Sequence, residues 1–315
     1  MMVYLQYKKV IGMRLLVSRH LENFLAIYEA RNMRRASESK GITQPALTKS
    51  LRTLEDDIGT SLFARTPWGL EPTEAGEALY RHACAIDQEA RFAVLDMNGL
   101  LARRGGKIRI GVGPGLAVSS FPKILVDFRR QFPDIQVVAQ VGLTRHLVEE
   151  LLHDRLDVIA TARPMADLPE HFSRDPLFSI QMAAIACSEH PLMAMPQVSS
   201  ADLFNYGCVT FQESAEFVRH ARQHFGAAPN NLNVVVETNS ISVMLDLLGS
   251  TDCFAFVGDI IVPRAQQAGL QRLSVPELHW EMTIDLMCKR SLVDSRPIRA
   301  LRDGWSAHSP VKTSL

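Results

Sequence analysis

The chain has 315 residues, of which 47% are hydrophobic and 22% are charged, and its 34 basic residues balance its 34 acidic ones. Such a chain is too long for one ordinary domain, and its composition excludes intrinsic disorder. A net charge of zero argues against indiscriminate electrostatic binding of nucleic acid, but it leaves room for a local basic surface.

The cysteines and the start of the chain indicate the compartment. The five cysteines (Cys84, Cys187, Cys208, Cys253 and Cys288) are scattered and lack CxxC spacing, which suits a reducing cytosol and predicts neither a zinc site nor a disulfide framework. No run approaches the roughly 18 uncharged apolar residues of a membrane helix, and no signal peptide is recognisable. We expect a cytoplasmic protein whose residues 1–15 are a ragged extension, with translation starting at Met1 or Met13.

The first predicted domain spans residues 16–75 and begins with three helices. An apolar stripe predicts an amphipathic helix over residues 20–30. Asn32 is a favourable N-cap for a second helix, residues 33–40, which Gly41 can end in a left-handed conformation. Two helices joined through a glycine-containing turn predict a helix-turn-helix over residues 33–52.

The third helix carries a buried face and an exposed face. Thr43 is its predicted N-cap, and Pro45 lies in its first turn, where a missing amide costs nothing. Helical spacing then predicts that four apolar side chains face the core: Leu47, Leu51, Leu54 and Ile58.

The surface of this helix pair is locally basic. Between Arg31 and Leu54 there are six basic residues and one acid, Glu38, so the segment carries +5 in a neutral chain. Short side chains at the start of the third helix could approach base edges, where Gln pairs with adenine and a Thr methyl packs on thymine. A solvated basic helix pair is the plain alternative, but the coincidence of cap, turn, apolar stripe and charge favours DNA binding.

A β-hairpin is predicted directly after the third helix. Two short extended pieces flank a Pro/Gly turn, as in the wing of a winged helix. Arg65 at its base could reach a phosphate or the minor groove, or it could pair with Glu71; Trp68 at its tip could stack on the DNA backbone or pack on its own turn. The candidate DNA-binding residues are Arg34, Arg35, Thr43, Gln44, Pro45, Ala46, Thr48, Lys49, Arg52, Arg65 and Thr66.

About sixty contiguous residues resemble the LysR-type transcriptional regulators. The resemblance rests on residues 32–55 with their Thr-Gln-Pro-Ala stretch, on Leu-Phe-Ala-Arg at 62–65 and on Leu-Glu-Pro-Thr-Glu-Ala-Gly at 70–76. It implies that the third helix is the recognition helix and that the protein reads an inverted-repeat promoter site as a dimer or a homotetramer, with RNA polymerase as a further candidate partner. Ser37 departs from the usual alanine, and we expect its hydroxyl to bond to its own helix backbone.

A linker helix is predicted over residues 74–104, with Thr73 as its cap. Apolar residues repeat there with 4-3 spacing, which predicts a dimer-forming coiled coil. A single helix packed on its own domain is the alternative, and the family resemblance favours the coiled coil. The candidate dimerisation residues are Leu79, Ala83, Ile86, Ala90, Ala93, Met97 and Leu100.

Residues 106–315 alternate short apolar strands with helices, which predicts an α/β domain with helices on both faces of its sheets. It resembles the two-lobed periplasmic-binding-protein-like (type 2) effector domain of the family, with lobe I near 107–178 and 259–310 and lobe II near 179–258. Asp154 replaces a usual glycine and is expected in the left-handed conformation. Predicted strands are 108–112, 135–141, 158–162, 182–186, 209–211, 234–237 and 254–258, and predicted helices are 121–132, one ending at 152, 216–225 and 243–248.

The effector site is expected where strands end at their carboxyl edges. The Gly-Val-Gly-Pro-Gly run at 111–115 favours a strand end that opens to a cleft, because Leu116 replaces the third glycine of a dinucleotide-binding motif. Arg145 could pair with a carboxylate. The candidate effector-binding residues are Gly113, Pro114, Gly115, Ser119, Thr144, Arg145, Thr161, Arg163, Thr210, Phe211, Asn239 and Ser240.

The sequence thus predicts an α/β protein with an all-α/winged N-terminal domain, acting as a sequence-specific DNA-binding transcriptional regulator. Its effector would be a small molecule, with a carboxylate or another anion as the expected class. No acid/base pair, nucleophile or metal cluster is recognisable, so we expect no catalysis, metal or cofactor. The alternatives are a two-lobed ligand-binding protein, or a redox sensor using Cys187 and Cys208, whose N-terminal block serves only dimerisation.

Overall fold

The structure, a computed structural model, describes residues 19–66, 69–100, 106–211 and 232–308. The chain divides into two compact units, one of residues 1–102 with 152–155 and one of residues 103–151 with 156–315. We call them the head and the effector domain. The ragged extension, the turn at Trp68, the end of the linker helix at 103–104 and the helix expected at 216–225 lie outside the described residues.

The head has the predicted succession of helices and hairpin, and its local signals act as expected. The Asn32 carboxamide accepts hydrogen bonds from the backbone amides of Arg34 (2.9 Å) and Arg35 (3.1 Å), and Gly41 has φ +64°. Thr43 accepts from the amide of Ala46. The elements are α1 (Arg19–Ala30), α2 (Met33–Lys40), α3 (Gln44–Ile58), β1 (Phe63–Thr66), β2 (Gly69–Pro72) and α4 (Glu74–Leu100).

Close packing fixes the start of α4 against the loop before the hairpin. A Cβ atom at Gly76 would lie 2.1 Å from the carbonyl oxygen of Leu62, so only glycine fits there. Ser37 is buried and its hydroxyl donates to the carbonyl of Arg34 at 2.8 Å, which confirms the expectation for this residue. The head is thus held by a core to which each of its helices contributes.

Helix α4 carries only part of the expected dimer seam on its surface. Ala83 is fully buried in the head's own core, so it cannot contact a second chain, and Leu79 and Ile86 are half-buried against the same core. Ala90 and Ala93 are exposed. The side chains of Met97 and Leu100 lie outside what the structure describes.

The effector domain is built on one mixed sheet in the order β4-β3-β5-β11-β6-β9-β7-β8, with β10 on β6. Strands β3, β4 and β5 are parallel, and β11 runs antiparallel to both β5 and β6. The strands are β3 (Lys107–Val112), β4 (Gln136–Val141), β5 (Val158–Ala162), β6 (Phe172–Cys187), β7 (Cys208–Phe211), β8 (Val234–Thr238), β9 (Phe254–Gly258), β10 (Leu270–Arg272) and β11 (Glu281–Lys289).

Helices cover this sheet and follow its strands. Those predicted at 121–132 and 243–248 are present with ends shifted by one or two residues. The described helices are α5 (Pro114–Val118), α6 (Phe121–Gln131), α7 (Thr144–Leu152), α8 (Ser200–Leu203), α9 (Ile241–Ser250), α10 (Val262–Gln267) and α11 (Arg296–Ala307), with 3-10 turns at Pro191–Ala194, Asp259–Ile261 and Arg290–Leu292.

Two lobes share the long strands β6 and β11, and one expected boundary between the lobes is displaced. Leu273 and Trp280 pack in the core of lobe II, and β10 pairs with the second half of β6. The segment from β10 to Trp280 therefore belongs to lobe II, although the sequence analysis assigned it to lobe I. Asp154 has φ +58°, which confirms its left-handed conformation.

Among the described helices, none combines the length and apolar character needed to span a bilayer.

Candidate DNA interface and effector cavity

The exposed face of α3 gathers most of the candidate DNA-binding residues. Its first turn, from Gln44 to Ala46, is exposed, as are Thr48 and Lys49. A shallow groove on this face is lined by Gln44, Pro45, Thr48, Lys49 and Arg52.

Two candidate side chains, Thr48 on α3 and Arg34 on α2, have local partners that limit what they can offer DNA. The Thr48 hydroxyl donates to the carbonyl of Gln44 at 2.9 Å, so its proton is used within the helix and its methyl group remains for contact. Arg34 forms an ion pair with Glu38 one turn later, but its side chain is 82% exposed. An exposed pair of this kind is weak and is readily exchanged for a phosphate.

The hairpin places two further candidates, Arg65 and Thr66, at its turn end. Thr66 is opposite Gly69, and Arg65 is opposite Leu70 in the register of β1 and β2. The side chain of Arg65 lies outside what the structure describes, so its choice between DNA and Glu71 stays a prediction.

A partly buried polar cluster, missed by the sequence analysis, ties α3 to α1. The Ser50 hydroxyl lies 2.8 Å from both the carboxamide nitrogen of Asn23 and Nδ1 of His20. A serine within the apolar stripe of α3 was the available signal. These bonds fix the rotation of α3 about its axis and hence which side chains face outward.

A cavity of about 200 Å³ lies between the two lobes of the effector domain. It brings together candidates from the carboxyl ends of β3, β5 and β7 and from the start of α7. The candidates that line it are Gly113, Pro114, Gly115, Thr144, Thr161, Arg163, Thr210 and Phe211.

One side of the cavity carries hydroxyl groups. The side-chain oxygens of Thr144 and Thr161 are 2.8 Å apart and share a hydrogen bond. Gly113 permits this arrangement, since a Cβ atom there would approach the Thr161 hydroxyl to 3.2 Å. Thr210 adds a third hydroxyl from lobe II.

The floor of the cavity is apolar, and its residues were not predicted. Ile180 and Met182 on β6 lie beside Trp280, Met282 and Ile284 on or next to β11, and Met282 is directly opposite Ile180. Their spacing of two residues on each strand is the signal that could have found them, because alternate residues of a strand face one side.

Arg163 lines the cavity, and a buried carboxylate holds it. Its Nε and Nη2 atoms donate to the two oxygens of Asp285 at 2.8 and 2.9 Å. The Arg163 side chain is 45% exposed, whereas Asp285 is fully buried. The hydrogen bonds and charge of Asp285 raise the pKa of Arg163, which therefore stays protonated.

Four candidates lie away from the cavity. Arg145 is exposed and pairs with Glu149 at 3.3 Å, which corrects its expected role as the carboxylate partner. The Ser119 hydroxyl donates to the carbonyl of Gly115, Ser240 caps α9, and Asn239 is exposed beside it. Ser119 and Ser240 thus satisfy helix ends, and none of the four is among the residues that line the cavity.

The cysteines lack the features of a redox pair. Cys208 is buried, and burial raises the pKa of its thiol, which keeps it protonated. Cys187 makes a long contact, 3.8 Å, with the carbonyl of Thr251. Within the residues that the structure describes, no three His, Cys, Asp or Glu side chains are grouped to hold a metal ion.

Comparison with known proteins agrees with this geometry in both units. Residues 18–77 match the family of bacterial regulatory helix-turn-helix proteins of the LysR type, and residues 102–307 match the LysR substrate binding domain. The chain belongs to the LysR family.

Individual relatives match the chain over different lengths. The HTH-type transcriptional regulator GbpR of Azospirillum brasilense is 31% identical over 59% of this chain, and the match spans 54% of that protein. The nitrogen assimilation regulatory protein nac of Klebsiella aerogenes is 25% identical over 87% of this chain and 90% of its own length. The crystal structure of full-length CbnR in complex with its target DNA shares the fold, with a TM-score of 0.65 and 18% identity over 92% of this chain and 98% of that one.

Proposed function

We propose that the protein is a sequence-specific DNA-binding transcriptional regulator of the cytoplasm, with α3 as its recognition helix. The observation that carries this proposal is the exposed face of α3, where Gln44, Lys49 and Arg52 border one groove within a segment of net charge +5. Cations of this kind bind phosphates, and a glutamine at the start of the helix can read a base edge. The DNA complex of CbnR, which has the same fold, supports the assignment.

The same proposal includes control by a small molecule. A concave, mostly apolar cavity with a few converging polar groups is the usual form of a ligand site. Because this cavity has walls from both lobes, a ligand in it would change how the lobes are placed. The protein would act as a dimer or a homotetramer on an inverted repeat, with RNA polymerase as a further partner.

Salt-dependent DNA binding tests the proposal. A binding site would be selected from random duplexes with the full-length protein, and its affinity measured by fluorescence anisotropy over a range of salt concentrations. Lys49→Met and Arg52→Met should each weaken binding and lower the salt slope by about one, because each removes one phosphate contact.

The matched control is Arg264→Met, which removes an exposed arginine from α10 of the effector domain. It should bind like the unmodified protein. If no duplex is enriched, or if the control loses as much affinity as the two α3 variants, the proposal is wrong.

The two alternatives find no support in the site. A head that served only dimerisation would have no use for the basic groove on α3. A redox sensor would need a reactive thiolate, whereas burial keeps the Cys208 thiol protonated.

A further inference from the structure

We propose that the effector is a monocarboxylate whose apolar body is about the size of one six-membered ring, and that Arg163 receives its carboxylate. The inference rests on the proposed function insofar as it takes the cavity between the lobes as the effector site. It goes further by naming the chemical class of the ligand and the residue that selects it.

The size and lining of the cavity define the body of the ligand. An apolar cavity of about 150 Å³ is large enough to hold benzene, and drug-sized ligands occupy roughly 300–1,000 Å³. The volume of about 200 Å³ therefore fits a single ring with one substituent. The floor formed by Ile180, Met182, Trp280, Met282 and Ile284 offers such a ring apolar contacts on both strands.

The geometry of Arg163 defines the polar end of the ligand. A guanidinium group can bind carboxylates in two ways, side-on through Nε and Nη2 or end-on through Nη1 and Nη2. Asp285 occupies the side-on edge with two hydrogen bonds. In the described part of the chain no acceptor pairs with the end-on edge, and Arg163 lines the cavity.

The charge around Arg163 also favours an anion. Arg174 lies 3.9 Å from the same oxygen of Asp285, so two guanidinium groups share one buried carboxylate. The other acid near Arg174 is Asp167, at 3.7 Å, but its side chain is 96% exposed and its charge is screened by water. The cluster of Arg163, Arg174 and Asp285 thus retains a surplus positive charge that a ligand carboxylate would balance.

Two other classes of small metabolite fit less well. Among the described residues that line the cavity, none is acidic, so the ammonium group of an amino acid would lack a counter-charge. Among the described residues that line the cavity, Arg163 is the one cation, so a second carboxylate on the ligand would lack a counter-charge, and burying an unpaired charge is costly. One carboxylate for Arg163 and one apolar body for the floor match these two features of the cavity.

The test is calorimetric titration of the full-length protein with matched pairs of probes. The acids are benzoate and cyclohexanecarboxylate, their neutral counterparts are benzamide and cyclohexanecarboxamide, and succinate is the polar dicarboxylate. At least one acid should bind, and its amide should bind about tenfold or more weakly, because a charge-assisted bidentate contact is lost.

Variants assign this preference to one residue. Arg163→Gln should abolish the preference for the acid over the amide, and Arg163→Lys, which keeps the charge but lacks the two-pronged edge, should retain a reduced preference. Arg145→Gln, the matched surface control, should behave like the unmodified protein. Thermal unfolding and DNA binding of each variant report whether it is folded. If Arg163→Gln does not fold, the preference of Arg163→Lys for the acid over the amide decides the test.

Three results would overturn the inference: equal binding of acid and amide, tighter binding of succinate than of either acid, or no binding of any probe. If DNA is still bound in these cases, the regulator function stands without the ligand class. If an acid binds through Arg163 but no duplex is ever bound, the ligand class stands and the regulator function fails.

Discussion

On the head, exposed cations such as Arg34 lie near α3, whereas in the effector domain the cation at the cavity is held by a buried carboxylate. Arg34 is 82% exposed and its partner Glu38 is on the same helix. Arg163 is held by Asp285, which lies 122 residues further along the chain. Exposed cations suit a highly charged ligand such as DNA. An arginine held by a buried carboxylate suits a ligand that is recognised by its shape and by a single charged contact.

This difference implies that substitutions affect binding and folding differently in the two units. Single exposed side chains of the head can be exchanged with little effect on folding, so their roles should be separable. Most of the apolar cavity residues, such as Ile180, Trp280 and Ile284, are also buried in the domain, which makes binding and folding hard to separate at these positions, whereas Arg163 is 45% exposed. The following changes test that contrast, from the largest expected effect to the smallest.

Gly76→Ala should destabilise the head by on the order of 3 kcal/mol and abolish DNA binding, because the new methyl group would overlap the carbonyl oxygen of Leu62. Thermal unfolding and DNA anisotropy measure both effects. Gly249→Ala is the control, since nothing lies within 4 Å of its Cβ position, and it should leave stability unchanged or slightly raised. A Gly76→Ala protein with normal DNA affinity would contradict the close packing of α4.

Gln44→Ala should cost roughly 1–3 kcal/mol of binding free energy on the selected duplex and almost nothing on random DNA, because a base contact is lost rather than a phosphate contact. Anisotropy with both duplexes measures the difference, and Gln266→Ala on α10 is the control. Equal losses on both duplexes would show that Gln44 does not read bases.

Thr48→Val should change the affinity for the selected duplex by less than about 0.5 kcal/mol, because the hydroxyl that it removes is bonded to the Gln44 carbonyl and the branched shape is kept. Thr48→Ala, which also removes the methyl group, should weaken binding more. A larger loss in the valine variant than in the alanine variant would mean that the hydroxyl contacts DNA.

The smallest effect is expected at the buried thiols. Burial raises the pKa of Cys208 and raises that of Cys288 to about 12, so near pH 8 both remain protonated and unreactive. Mass spectrometry after brief treatment with iodoacetamide should find Cys187 and Cys253, which are partly exposed, modified before these two. Early modification of Cys208 would reopen the redox alternative.

The features that could be predicted from the sequence are those that depend on residues close together in the chain. The Asn32 cap, the left-handed Gly41 and the Thr43 cap each act within a few residues, and the structure confirms them. Asp285 was not predicted, because its partner Arg163, which directly follows β5, is 122 residues earlier in the chain and no spacing links the two. Arg145 was named as a possible carboxylate partner because of a local signal, its place at a loop-to-helix corner, but in the structure it pairs with Glu149 and does not line the cavity.

The first half of β6 shows why the strand was predicted too short. Only residues 182–186 have a continuous apolar pattern, whereas Arg174, Asp175 and Pro176 interrupt it earlier. In that half β6 pairs with β11 on one side only, whereas residues 182–186 pair with β9 and residues 185–187 pair with β10 on the other side. An edge strand tolerates charges and proline, which no pattern within the sequence could reveal.

The sharing of β6 and β11 by both lobes has a consequence for how the effector domain unfolds. Lobe I uses β11 between β5 and the first half of β6, and lobe II builds β9 and β10 on the second half of β6. If either lobe unfolded, the other lobe would lose hydrogen bonds along β6 or β11. The two lobes, although they can be drawn as separate bodies around a cavity, should therefore melt in a single cooperative transition.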